Sequence, residues 1–244
     1  MGKQYTFNYQ VPFYQVDVNH KMRLSSLLSL ALQVSGYQSE ALGLSDQSLL
    51  ETYGLVWVVT DYQLMIERLP RYREEILIRT EALSYNRLIC YRQFDVLTKT
   101  GEKLLTIKAS FVLLDYQSRR PHQVLEEIVA PYQAEKIKQR LKVPQFASFT
   151  PESKRTFPVL YSDLDQNAHV NNGRYMDWFY DDLPLAFLRN HSPKTIHLSY
   201  VKEIQATDQV SSQCSLKGTR SQHCIRSEAG LHAQAEIEWR QNDL

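Results

Sequence analysis

At 244 residues, with 43% hydrophobic and 23% charged residues, the chain has the composition of a soluble globular protein, sized for one large domain or two modest ones. A net charge of +1 excludes a general nucleic-acid binder, which needs a basic surplus to neutralise phosphates. No apolar run reaches transmembrane length, and the alternating N-terminal MGKQYTFNYQVPFYQ lacks a signal-peptide core. Cys90, Cys214 and Cys224 have no metal-ligand spacing and leave an odd thiol, so a reduced, cytoplasmic setting is expected.

Residues 4–14 read as a strand with Tyr5, Phe7 and Tyr9 on one face. Leu24, Leu27, Leu28, Ala31 and Ser35 then mark a helix face, which should stop at Gly43. A polar stretch precedes four strands, LVWVVTDYQLMIERL, EEILIRTEAL, LICYRQFDVL and KLLTIKASFVLLDY, with a TKTG turn between the last two. Residues 126–151 are polar, basic and proline-bearing and read as a linker with room for a short helix. The same order then returns: a strand at 156–164, a helix at 171–190 interrupted by Pro184, and strands at TIHLSYV, QVSSQCSLKG, HCIRSEAG and LHAQAEIEWR. The expected division is 1–130, a linker at 131–150, and 151–244.

The halves overlay. A shift of 148 positions puts Asp17 on Asp165, Asn19 on Asn167, Lys21 on His169 and Leu27 on Tyr175. This is a diverged internal duplication. Lysine stands at the histidine position of the first copy, so one copy is read as active and the other as kept for shape.

The stretch 161–180, YSDLDQNAHVNNGRYMDWFY, carries the chemistry. Asp163, Asp165, Asn167 and His169 fall at every second position, as polar groups on one side of an extended run. Tyr175, Met176, Phe179 and Leu183 then mark a helix, with Asn171 and Asn172 as N-cap candidates. A strand end feeding a helix N-terminus suits a developing oxyanion, and the backbone N–H groups near Val170 and Asn171 are its candidate donors. Asp and Asn favour helix starts in any case, so turn and cap chemistry competes for Asp165, Asn167 and Asn172. Asp163, Asp165 and Asn167 also match the start of a calcium loop, but Ala168 and Arg174 stand where glycine and glutamate are required. His191 and His197 lack ligand partners at zinc spacing and read as surface or strand histidines.

DLDQNAHVNN followed by a tyrosine and a tryptophan, on a twice-repeated order of helix then strands, resembles the acyl-ACP thioesterases of plants and bacteria. The resemblance covers nearly the whole chain. It implies an α+β tandem double hotdog, two antiparallel sheets each wrapping a long helix. The family's Asp-x-Asn-x-His element falls on Asp165, Asn167 and His169, and LSYVKEI puts Glu203 at its glutamate position. Plant members carry a cysteine after that glutamate; here it is Ile204, which leaves water as the nucleophile.

On this reading Glu203 is the general base, desolvated beside Val201 and Ile204. His169 shares the proton or polarises the water, Asn167 holds water or the carbonyl, and Asp165 orients His169 or Asn167. Alone, Glu203 beside Lys202 would pass for a solvated strand charge. The helix around Leu27–Val34 is expected to line or cap the acyl tunnel, with depth turning on Met22, Leu28 and Trp57. No cofactor is needed. The implied partner is an acyl carrier protein, met by Arg68, Arg71, Arg73, Lys136, Lys138, Arg140 and Lys142, although solvated charge is an equal account of those residues. Acyl-CoA hydrolysis and non-catalytic acyl binding are the alternatives; a hotdog dehydratase would not need Glu203. Association of two chains stays open.

Overall fold

The computed structural model describes residues 2–165, 168–206 and 208–242. In chain order the elements are β1 (Gln4–Gln10), α1 (Leu24–Ala41), α2 (Asp46–Tyr53), β2 (Leu55–Ile66), β3 (Glu75–Tyr85), β4 (Ile89–Thr98), β5 (Lys103–Asp115), β6 (Pro121–His122), α3 (Glu126–Val129) and β7 (Glu135–Lys136). They continue with β8 (Ser153–Pro158), α4 (Arg174–Asp181), α5 (Leu185–Asn190), β9 (His191–Tyr200), β10 (Gln209–Lys217), β11 (Arg220–Ser227) and β12 (Gly230–Gln241).

The long strands form one continuous sheet in the order β1-β3-β4-β5-β2-β9-β12-β11-β10-β8. Read outward from the β2–β9 junction, the two halves have the same order, as a duplication requires. At the junction Asp61–Met65 pairs antiparallel with Thr195–Ser199, so the two expected sheets are joined edge to edge. The joint also closes two edges that would otherwise be open to aggregation. His197 Nε2 lies 2.7 Å from Asp61 Oδ2 across it, both side chains largely buried. His197 is thus a strand histidine, as one of the two readings had it, with a buried partner across the junction.

Apolar residues at helical spacing bury one face of α1: Leu24, Leu27, Leu28, Ala31 and Val34 sit in the core. The helix ends just before Gly43, whose φ of +75° reverses the chain. The polar stretch after it is a second helix, α2. Its N-cap Ser45 accepts from the Ser48 N–H at 3.1 Å, and Gly54, left-handed at φ +65°, ends it. The 126–151 segment is docked rather than free. Ile128, Val129 and Tyr132 are buried, β7 pairs with β3, and Phe146 stacks on His197 at 4.2 Å.

The duplication extends to single hydrogen bonds. In the first copy Asp17 N–H donates to Lys21 O at 2.9 Å; in the second Asp165 N–H donates to His169 O at 2.8 Å. Arg23 N–H to Gln15 O and Asn171 N–H to Asp163 O are 2.9 and 2.8 Å. Both copies begin with a 3-10 turn, at Phe13–Gln15 and Tyr161–Asp163. His20 and Ala168, at equivalent positions, have φ of +58° and +60°. Tyr161–Asp163 is therefore a 3-10 turn, and Asp165 pairs back to His169, where alternation suggested a strand end. The second helix also starts later than expected, at Arg174, with Gly173 as N-cap.

Gly173 sits where α4 crosses α1. A Cβ there would lie 2.8 Å from Ser25 O and 2.9 Å from Ser29 Oγ, against nothing within 4 Å at Gly36. Gly173→Ala should cost about 1–3 kcal/mol by overpacking, whereas Gly36→Ala in α1 should be neutral or stabilising by up to about 1 kcal/mol. Urea denaturation of both variants checks the contrast. Beneath α4, His223 is fully buried, with Nε2 2.8 Å from Ser221 Oγ and Nδ1 without a partner among the described residues. Burial pushes its pKa down to about 3 from 6.5. Between those values the unfolded chain binds a proton that the folded chain refuses, so stability should fall by about 1.4 kcal/mol per pH unit as pH drops through that window. His223→Gln should show a shallower loss in urea midpoints measured across it.

Candidate active site

Glu203 lies just past β9, in the turn that leads to the buried Ile204. Its Oε2 is 3.4 Å from His169 Nε2, and its Oε1 is paired with the guanidinium of Arg119. Main-chain pairing sets this meeting: His169 bridges Gln205, and Val170 N–H donates to Ile204 O at 3.1 Å. Asp165 closes the loop by accepting the His169 N–H at Oδ1, 3.3 Å away, so it holds the histidine through its backbone. The Glu203 side chain is 37% exposed and faces a cation rather than only the apolar neighbours expected. Asn167 lies outside the described residues.

Arg119 was not among the expected residues. It comes from the β5–β6 hairpin of the other half, 84 positions away in the chain, with φ at +55°. Asp115 builds that hairpin, its Oδ1 accepting from the Ser118 N–H and hydroxyl, each at 2.7 Å. A non-glycine residue held left-handed next to a charged cluster fits the way functional sites store strain. Ala168 is different, because its φ is shared by His20 in the other copy and so belongs to the loop.

Other expected roles change. The Val170 and Asn171 N–H groups are spent on Ile204 O and Asp163 O, so neither can serve an oxyanion. Asp163 faces away from the site: buried, it accepts from Leu160 N–H and Arg174 Nε, each at 2.8 Å. In the first copy the same register puts Lys21 at the histidine position and buried Leu69 at the glutamate position. Lys21 Nζ donates instead to Ser192 Oγ at 2.6 Å and Asn242 Oδ1 at 3.2 Å. That copy has lost both acid–base partners. Of the basic residues, Arg68 is engaged by Glu74 and Lys136 by Glu126, while Arg71, Arg73, Lys138, Arg140 and Lys142 are exposed.

A cavity of about 1260 Å³ begins at Asp165, His169, Glu203 and Arg119 and runs into the N-terminal half. Its walls include Leu32, Gly36, Trp57, Val59 and Phe111, and it reaches Ser39, Arg92 and Tyr132. The lining face of α1 is thus Leu32, Ser35, Gly36 and Ser39, rotated away from Leu27 and Val34. Trp57 lines the cavity as expected, whereas Met22 and Leu28 are packed in the core. A cavity with an acid–imidazole pair among its lining residues, set in two helix-and-sheet repeats joined edge to edge, defines the class of protein as a double hotdog.

The family follows from comparison. The acyl-ACP thioesterase N-terminal domain matches residues 2–132 and the C-terminal domain of the same family matches residues 147–241, so the chain belongs to the acyl-ACP thioesterase family. It is 25% identical to an oleoyl-acyl carrier protein thioesterase of Coriandrum sativum over 88% of this chain and 63% of that protein. A Cuphea viscosissima acyl-[acyl-carrier-protein] hydrolase is 23% identical over 96% of this chain and 61% of its own length. The chain thus spans less than two thirds of these relatives. A Lactobacillus plantarum structure provisionally designated an oleoyl thioesterase superposes with a TM-score of 0.93 at 29% identity, covering 100% and 98% of the two chains. The 12:0-ACP thioesterase of Umbellularia californica shares the fold, with a TM-score of 0.85 at 19% identity and 98% coverage of both chains.

Of the three thiols only Cys90, on β4, lines the cavity. Burial pushes Cys214 and Cys90 up to about 12 and raises Cys224, keeping all three protonated at neutral pH. Cys214 and Cys224 lie on β10 and β11, outside the cavity lining. Cys214→Ala and Cys224→Ala should each retain activity within about twofold of the parent, since neither touches the site. An inactive variant with a native circular dichroism spectrum would reinstate a thiol mechanism.

Proposed function

We propose that the chain hydrolyses the thioester of fatty acyl-ACP, releasing free fatty acid and ACP. The observation that carries this reading is the Glu203 carboxylate, held by Arg119 on one oxygen and facing His169 on the other at the exposed end of the long cavity. A water beside Glu203 loses its proton to the carboxylate as its oxygen attacks the carbonyl carbon. The tetrahedral oxyanion collapses, the carbon–sulfur bond breaks, and the leaving thiolate takes up the proton. His169 steers that proton. With the Val170 and Asn171 N–H groups engaged, the oxyanion is assigned to side-chain donors, the Arg119 guanidinium and the amide of Asn167. Asp165 acts as the brace of the loop. No step calls for a cofactor.

The same reading divides the chain into an N-terminal hotdog (1–130) that receives the acyl chain, a linker (131–150), and a catalytic C-terminal hotdog (151–244). The exposed Lys138, Arg140 and Lys142 suit an acidic carrier protein. Three free cysteines accord with a cytoplasmic place in fatty acid synthesis.

Free-thiol release from acyl-ACPs of graded chain length, with the matching acyl-CoAs alongside, tests the proposal. Turnover should favour the ACP esters, and Glu203→Gln should remain folded while losing at least about a hundredfold in rate. Equal turnover of the CoA esters would replace the carrier-protein assignment with a general thioesterase. Near wild-type rates in Glu203→Gln would remove Glu203 from the mechanism.

A further inference from the structure

We propose that the end of the cavity remote from Glu203 is a polar subsite, built on Arg92, for an acyl chain bearing a hydroxyl at its far end. This deepens the thioesterase reading and rests on it for the identity of the ligand's head.

Arg92 lies on β4, three strand spacings from β9, or roughly 14 Å along the sheet from the strand that leads to Glu203. It lines the cavity yet is only 8% exposed. One terminal nitrogen donates to Gln38 Oε1 at 2.5 Å and Thr80 Oγ1 at 2.9 Å, and the guanidinium lies 5.3 Å from the centre of the Tyr132 ring. These partners are neutral. Among the described residues no carboxylate pairs with Arg92, and Nε and the other terminal nitrogen have no acceptor. Desolvation lowers its pKa to about 10, which leaves it a cation at neutral pH.

A buried, uncompensated guanidinium is a poor neighbour for a methyl terminus, because the hydrocarbon would strip water from N–H groups and offer nothing in return. A hydroxyl oxygen accepts from those groups. Fastening α1 to the sheet engages one terminal nitrogen of the guanidinium and leaves the others to the cavity. Asp46 also lines the cavity, its carboxyl raised by burial and by Glu40. With a carboxyl already on the same cavity wall, the acceptor assigned to Arg92 is a neutral hydroxyl oxygen. Ser39 and the Tyr132 hydroxyl, joined at 2.8 Å, extend the polar wall.

The test is calorimetric titration of the full chain with free fatty acids of graded length and with their ω-hydroxy counterparts. At the length that reaches Arg92, the hydroxy acid should bind about tenfold more tightly than the plain acid, the scale of one hydrogen bond to a charged group. Arg92→Met should abolish that preference and admit longer plain chains, while Arg92→Lys should keep part of it. Hydroxy acids binding no better than plain acids at every length would overturn the subsite, and this comparison needs no variant to fold. A hydroxyl preference without thiol release from any acyl-ACP would overturn the thioesterase reading while leaving the polar subsite established.

Discussion

The pairing of β2 with β9 is the constraint on which the rest depends. Main-chain hydrogen bonds across this junction turn two hotdog halves into one sheet and fix their relative register. Only with that register held can Arg119, on a hairpin of the first half, reach Glu203 beyond a strand of the second. The Asp61–His197 contact sits on the same junction, largely shielded from water, where an ion pair or hydrogen bond is screened least. The cavity likewise draws its walls from both sides of this line.

The paired loops separate what the backbone requires from what the chemistry requires. Both copies keep an aspartate that accepts the N–H four residues on, at 3.0 Å from Lys21 and 3.3 Å from His169. They share the 3-10 turn and the left-handed residue as well. Asp17 and Asp165 therefore share a loop-closing bond, which belongs to the frame of both copies. The difference lies in the side chains at two positions of this frame, lysine with buried leucine in one copy and histidine with glutamate in the other.

Periodic features were legible in the sequence because burial imposes them locally. The α1 face, the β4–β5 hairpin with Gly101 at φ +91°, and the duplication itself could all be read from spacing. Helix α2 was legible in principle from Ser45 and Gly54, but with one buried residue, Leu49, its face is too narrow to stand out. Alternation misled at Tyr161–Asp163, which is a 3-10 turn that carries Asp163 inward to Arg174. Arg119 and Arg92 had no local signal at all. Their surroundings are assembled by strand order, and the nearest hint, the basic pair Arg119–Arg120 before Pro121, reads as an ordinary turn.

The ion pair between Arg119 and Glu203 also restricts how the two repeats can change. Each repeat supplies one member of the pair, so neither is a module that can be exchanged for its equivalent from a distant relative. A graft of one half would have to carry over the hairpin geometry around Asp115 as well as the junction register. A substitution in either the hairpin or the turn therefore has to fit the shape of the other.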